Sequence, residues 1–163
     1  MDQLSVDSLL SIAIAIECNG AEFYRKAAEK LTGEMRDEFL EMAEMEEGHA
    51  NSFVNMKKLI SVEDKTLFDV KMDPVTTEYF RSVIEDSLID PNAKIDPDQF
   101  HSIDDVLNFA IEEEKDTIVF YQCLKNAISE PTIIQTLNSI IQQEIVHMLD
   151  LTKRQKQLVG SSE

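Results

Sequence analysis

Two glutamate–histidine pairs, Glu46 with His49 and Glu144 with His147, stand out in this sequence as groups that can do chemistry. Residues three apart on a helix lie about one turn apart on one face, so both members of a pair can close on the same ion. Each pair follows a further glutamate: Glu17 lies 29 residues before Glu46, and Glu114 lies 30 before Glu144. Mixed carboxylate and imidazole donors with open positions suit iron or manganese better than calcium, which takes oxygen ligands. Four glutamates and two histidines make a donor set for two such ions.

For the six to meet, helices must carry them on inward faces, and the spacing predicts this. Over about 7–30, Leu10, Ile14, Glu17, Ala21, Tyr24 and Ala28 alternate steps of four and three, the seam of a bundle helix. A second helix is predicted over about 34–60, with the seam Met35, Phe39, Met42, Glu46, His49, Phe53, Met56, Ile60. A third, over about 104–128, opens on a capping box from Ser102 to Asp105 and runs through Leu107, Ala110, Glu114, Thr117, Tyr121, Leu124 and Ile128. The fourth, about 132–158, runs through Ile133, Leu137, Ile140, Glu144, His147, Leu151, Arg154 and Leu158, after a proline suited to a first helical turn. Of Glu112, Glu113 and Glu114 only the last falls in its seam; Glu38, Glu41, Glu44 and Glu47 fall outside theirs and read as solvated. Met35, Met42, Met45 and Met56 read as core filling.

Between 62 and 101, Pro74, Pro91 and Pro97 interrupt any long helix. A short helix over about Thr76 to Leu88 is expected, with Phe80, Val83 and Ile84 as its apolar face. So long a connection implies a crossover, which would start the third helix near the start of the second. The two halves repeat, since a tyrosine follows the first glutamate by seven residues in both, Tyr24 after Glu17 and Tyr121 after Glu114. Helical hairpins related by a pseudo-twofold axis follow. Four carboxylates at one depth of an apolar core are very unfavourable unless compensated. No lysine or arginine stands at that level, and Arg154 lies nearly two turns beyond His147. Two divalent cations would balance the four charges.

The totals agree with a single domain over 1–163. Hydrophobic residues make up 43 % and charged residues 29 %, a globular balance. The net charge of −17 argues against nucleic acid and against an anionic membrane as partners. Cys18 and Cys123 stand far apart without a Cys-x-x-Cys, which removes a zinc ribbon or a rubredoxin-type iron site. The apolar run Leu9 to Ile16 is far too short to span a membrane, so a cytoplasmic protein is expected.

One glutamate from each of two helices, with Glu-x-x-His from each of the other two, resembles the di-iron carboxylate bundles of the ferritin-like superfamily. Within that superfamily the sequence is similar to the rubrerythrin family, over nearly the whole chain and least over 62–101. The resemblance implies an all-α, ferritin-like four-helix bundle of two hairpins with a long crossover. It implies two iron ions, with manganese or a mixed pair as alternatives. Glu17 and Glu114 would be ligands from the first and third helices, Glu46 and Glu144 bridging carboxylates, and His49 and His147 terminal ligands. Tyr24 and Tyr121 would stand behind the ligands as catalytic groups. The implied activity is reduction of hydrogen peroxide, or less readily dioxygen, by a homodimer drawing electrons from an external donor such as rubredoxin. The sequence departs from the family in two ways. It has no four-cysteine rubredoxin domain, and Ala110, Ile111 and Thr117 flank Glu114 where many rubrerythrins carry a further glutamate. The second departure moves the site toward a plain ferritin-like pattern. Two other readings use the same chain: a ferroxidase serving iron storage or detoxification, and a metal-free structural bundle that leaves its buried carboxylates unexplained.

Overall fold

Local chemistry at the helix ends sets where each seam begins. A computed structural model describes residues 5–62, 72–85 and 95–160. Helix α1 spans Val6–Ala28 behind a capping box, in which Ser5 and Ser8 each accept a hydrogen bond from the other's backbone N–H. Helix α2 spans Gly33–Val62, and Gly33 has φ +62°, a left-handed conformation open to glycine without steric cost. Helix α3 spans Pro74–Glu85. It begins ahead of the expected Thr76 because the Asp73 carboxylate accepts from the N–H groups of Val75 and Thr76, at 2.9 and 3.1 Å, and Pro74 needs no acceptor. The expected end at Leu88 lies outside the described residues.

A 3-10 turn over Pro97–Gln99 precedes α4, Ile103–Asn126. Its predicted capping box is one-sided. Ser102 accepts from the N–H of Asp105 at 3.1 Å, but the Asp105 carboxylate accepts from the N–H of His101, one residue before the cap. Helix α5 spans Pro131–Gly160, capped by the Glu130 carboxylate, which accepts from the N–H of Ile133 at 2.6 Å.

Helices α1 and α2 form one antiparallel hairpin, and α4 and α5 the other. Arg25–Glu47 and Lys57–Asp7 tie the first; Lys125–Asn138 and Gln155–Asp104 tie the second. The hairpins face each other with α1 against α4 and α2 against α5. Near the end of α5, Arg154 holds Glu34 and Glu38 from the start of α2, while Gln155 reaches Asp104 at the start of α4. Helices α2 and α4 therefore begin at the same end of the bundle, as a crossover requires. Among the described residues no helix is long and apolar enough to cross a membrane.

The apolar interior falls into two blocks. One gathers Leu9, Leu10, Phe53, Phe80, Phe120 and Leu137; the other gathers Phe23, Phe39, Met42, Leu107, Ile111 and Leu151. Each large side chain so buried contributes about 1.5–3 kcal/mol of transfer free energy. Helix α3 joins the first block through Phe80, whose ring meets Phe120 edge-on at 5.5 Å. Several seam or core expectations change. Ile14, Met35, Thr117 and Leu158, with Ile84 on α3, are half-buried, the Arg154 side chain keeps 23 % of its surface in an ion pair at the bundle end, and Met45 is 40 % exposed instead of filling the core. Arginine and methionine tolerate these edges because their long stems stay on apolar surface while their ends reach out.

Candidate metal centre

Mid-helix, the seams of α1, α2, α4 and α5 each turn polar. Glu17, Glu46, His49, Glu114, Glu144 and His147 are all buried, none exposing more than 5 % of its surface. They form two overlapping groups. Glu17, Glu46, His49 and Glu144 bring one ligand atom each within 4.8 Å of one another, and so do Glu46, Glu114, Glu144 and His147. Glu46 and Glu144 belong to both, and each divides its two oxygens between the histidines. His49 Nδ1 lies 2.8 Å from Glu144 Oε1 and 3.6 Å from Glu46 Oε2. His147 Nδ1 lies 3.0 Å from Glu144 Oε2 and 3.3 Å from Glu46 Oε1. Glu17 Oε2 adds itself to the first group, 3.4 Å from His49 Nδ1, and Glu114 Oε1 to the second, 3.8 Å from His147 Nδ1.

These separations bring acceptors together without hydrogen-bond geometry. Among the described residues, Glu17 Oε2, both Glu144 oxygens and the Nδ1 atoms of His49 and His147 have no hydrogen-bond partner. Buried polar atoms seldom stay unpaired, and lone pairs converging from four helices call for cations between them. Four carboxylates, two of them shared, and two imidazoles fit a pair of divalent ions.

Without such ions, protons take their place. Burial pushes the Glu17 and Glu114 carboxyls well above the usual range, and the neighbouring Glu46 charge adds to this. Burial pushes Glu46 up as well, but its close contacts with Glu17, His147 and His49 outweigh it and hold this carboxylate below the usual range. Burial alone would lower both imidazoles. Their close contacts with Glu144 and the other carboxylates reverse that, raising His49 and pushing His147 up to about 10.

The two tyrosines cross between hairpins. Tyr24 on α1 donates to Glu114 on α4, and Tyr121 on α4 donates to Glu17 on α1. Each thus holds a glutamate used by one group only. Burial, then the carboxylate it binds, raises each phenol and keeps it protonated. Sequence reasoning missed Gln143. Its Oε1 accepts from His49 Nε2 across the α2–α5 interface at 2.5 Å, a partner visible only once the register of those helices is known. Two openings reach the centre. A cavity of about 210 Å³ between α1 and α4 is walled by Ile16, Phe23 and Phe109 and ends on Tyr24, Glu46 and Glu114. A groove of about 530 Å³ between α2 and α5 runs past Glu34, Glu38, Glu41 and Asp150 to His147.

A four-helix bundle with one shared carboxylate–histidine cluster at its middle defines the ferritin-like di-iron-carboxylate class. The profile of the rubrerythrin family matches residues 8–155, and the chain belongs to that family. It is also similar to a crystal structure from Thermotoga maritima provisionally described as a ferritin-like diiron-carboxylate protein. That likeness has a TM-score of 0.70 and 28 % identity, and covers 96 % of this chain and 97 % of the other. No curated protein matches the chain.

Proposed function

We propose that the protein is a di-iron peroxidase, with Glu17, Glu46, His49, Glu114, Glu144 and His147 as ligands and Tyr24 and Tyr121 as catalytic groups. The observation that carries this reading is the small cavity that ends on Tyr24, Glu46 and Glu114, where a protonated phenol meets the buried carboxylates. When bound, two ferrous ions supply the two electrons that, with two protons, take hydrogen peroxide to two waters. The chain supplies the rest. The apolar wall of the cavity limits water, and its volume suits a small oxidant. Tyr24 holds a proton at Oη in its hydrogen bond to Glu114, beside the cavity. Tyr121 orients Glu17 in the same way but does not line the cavity, so the proton-donating work falls on Tyr24. Manganese or a mixed pair suits the same donors. An external donor such as rubredoxin returns the electrons, and the working unit is a homodimer.

The α2–α5 groove favours a second reading, ferroxidase activity for iron storage or detoxification, because Glu41 and Asp150, together with Glu34 and Glu38 paired to Arg154, line the way to His147. One experiment separates the two. Protein loaded anaerobically with two Fe(II) per chain is mixed in stopped flow with peroxide or dioxygen at equal concentration. Faster oxidation by peroxide, with repeated turnover once a reductant is added, supports the peroxidase. Faster oxidation by dioxygen, with ferric iron leaving the site and accumulating, overturns it in favour of iron handling. Tyr24→Phe is expected to slow the peroxide reaction by about 10²-fold at unchanged metal content.

A further inference from the structure

We infer that the two metal positions are unequal in affinity, and that Gln143 makes them so: the position served by His49 is tight and fills first, and the one served by His147 is loose and fills last. This rests on the ligand assignment above and goes beyond it. Each histidine turns Nδ1 toward the carboxylates. A ring that binds metal through Nδ1 carries its proton on Nε2, and a buried N–H needs an acceptor. His49 has one in Gln143 Oε1. His147 does not: its Nε2 is buried and has no hydrogen-bond partner among the described residues. An acceptor on the far nitrogen fixes the tautomer and ring orientation and makes the imidazole a better ligand.

The internal repeat shows where the missing acceptor would be. Gln143 precedes Glu144 on α5 and serves His49 on α2; the matching residue on α2 precedes Glu46 and is Met45. Met45 and His147 both line the α2–α5 groove. A thioether is a weak acceptor, so the half of the site that holds His147 lacks what the other half has. The groove reaches His147 and not His49, so the loose position is also the one open to exchange.

The test is an anaerobic titration of the whole chain with Co(II), followed by visible absorption and calorimetry. Two steps at least about 10-fold apart are expected, with His49→Ala removing the tighter and His147→Ala the looser. Gln143→Met should weaken the tight step by about 10–100-fold, and Gln143→Glu, which keeps an acceptor, should preserve it. Met45→Gln should tighten the loose step. In the zinc-loaded protein, a slowly exchanging His49 Nε2–H seen by nitrogen-15 NMR should vanish in Gln143→Met, a change that a packing defect elsewhere would not produce. Equal steps in the unaltered chain overturn the inequality, and a tight step untouched by Gln143→Met overturns the role of Gln143; either leaves the ligand set standing. A chain that binds no cobalt overturns the ligand set itself, and the inequality with it.

Discussion

Glu144 is the pivot of the centre. It is fully buried, and its two oxygens stand one against each histidine, at 2.8 and 3.0 Å. Glu17 and Glu114 each serve one group and are each held by a tyrosine from the opposite hairpin. Substitutions should therefore fall into two kinds. Glu144→Ala should remove both ions from the desalted protein, because each position loses a ligand and the charge that balanced it. Glu17→Ala should leave about one ion, held by Glu46, Glu114, Glu144 and His147. Elemental analysis per chain decides this, and equal losses in the two variants would contradict the shared role of Glu144.

At the scale of the element, the four-three spacing predicted the four long helices because buried side chains must fall on one face whatever the packing partner is. Their ends were less legible. Asp73 and Glu130 cap α3 and α5 with side chains that a reading of seams passes over, and Ser102 and Asp105 share a cap without the reciprocal bond. The turn between α1 and α2 depends on one backbone conformation, Gly33 at φ +62°. A β-carbon there is strained by about 1–2 kcal/mol, while nothing lies within 4 Å of where it would stand. Gly33→Ala should cost that much in urea denaturation with the metal content unchanged. A neutral or stabilising result would show that the turn can relax to an ordinary conformation.

For the whole molecule, the charge of −17 and the cluster of buried acceptors act in the same direction. The metal-free native chain binds more protons than the unfolded chain, since His147 is pushed from 6.5 to about 10 and His49, Glu17 and Glu114 are raised as well. Stability from a raised group is present below its unfolded pKa and lost as pH climbs through its folded one. Glu46 is lowered and has the opposite sign, but its window lies in acid. The metal-free protein should therefore begin to lose stability above roughly pH 4.5, through Glu17 and Glu114, and more steeply from roughly pH 6.5 toward pH 10 as the histidines join, by up to about 1.4 kcal/mol per pH unit for each proton held. Metal-loaded protein should show a much flatter profile, because cations replace the protons. Thermal melts across that range, with and without chelator, check this; parallel curves would mean that the centre does not control the pH response.

The helices and the six polar residues set within their seams were determined by the sequence alone, because helical periodicity is local and a glutamate or histidine in an apolar seam contradicts its surroundings on sight. Tertiary structure decided what depends on the register between helices. It set Glu46 and Glu144 to face both histidines, crossed the tyrosines so that each holds the other hairpin's glutamate, and gave His49 an acceptor in Gln143 while leaving His147 with none. Apart from those within each Glu-x-x-His pair, these contacts join residues about 90 or more positions apart. No spacing along one chain encodes them; they exist only once two amphipathic hairpins have buried their seams against each other.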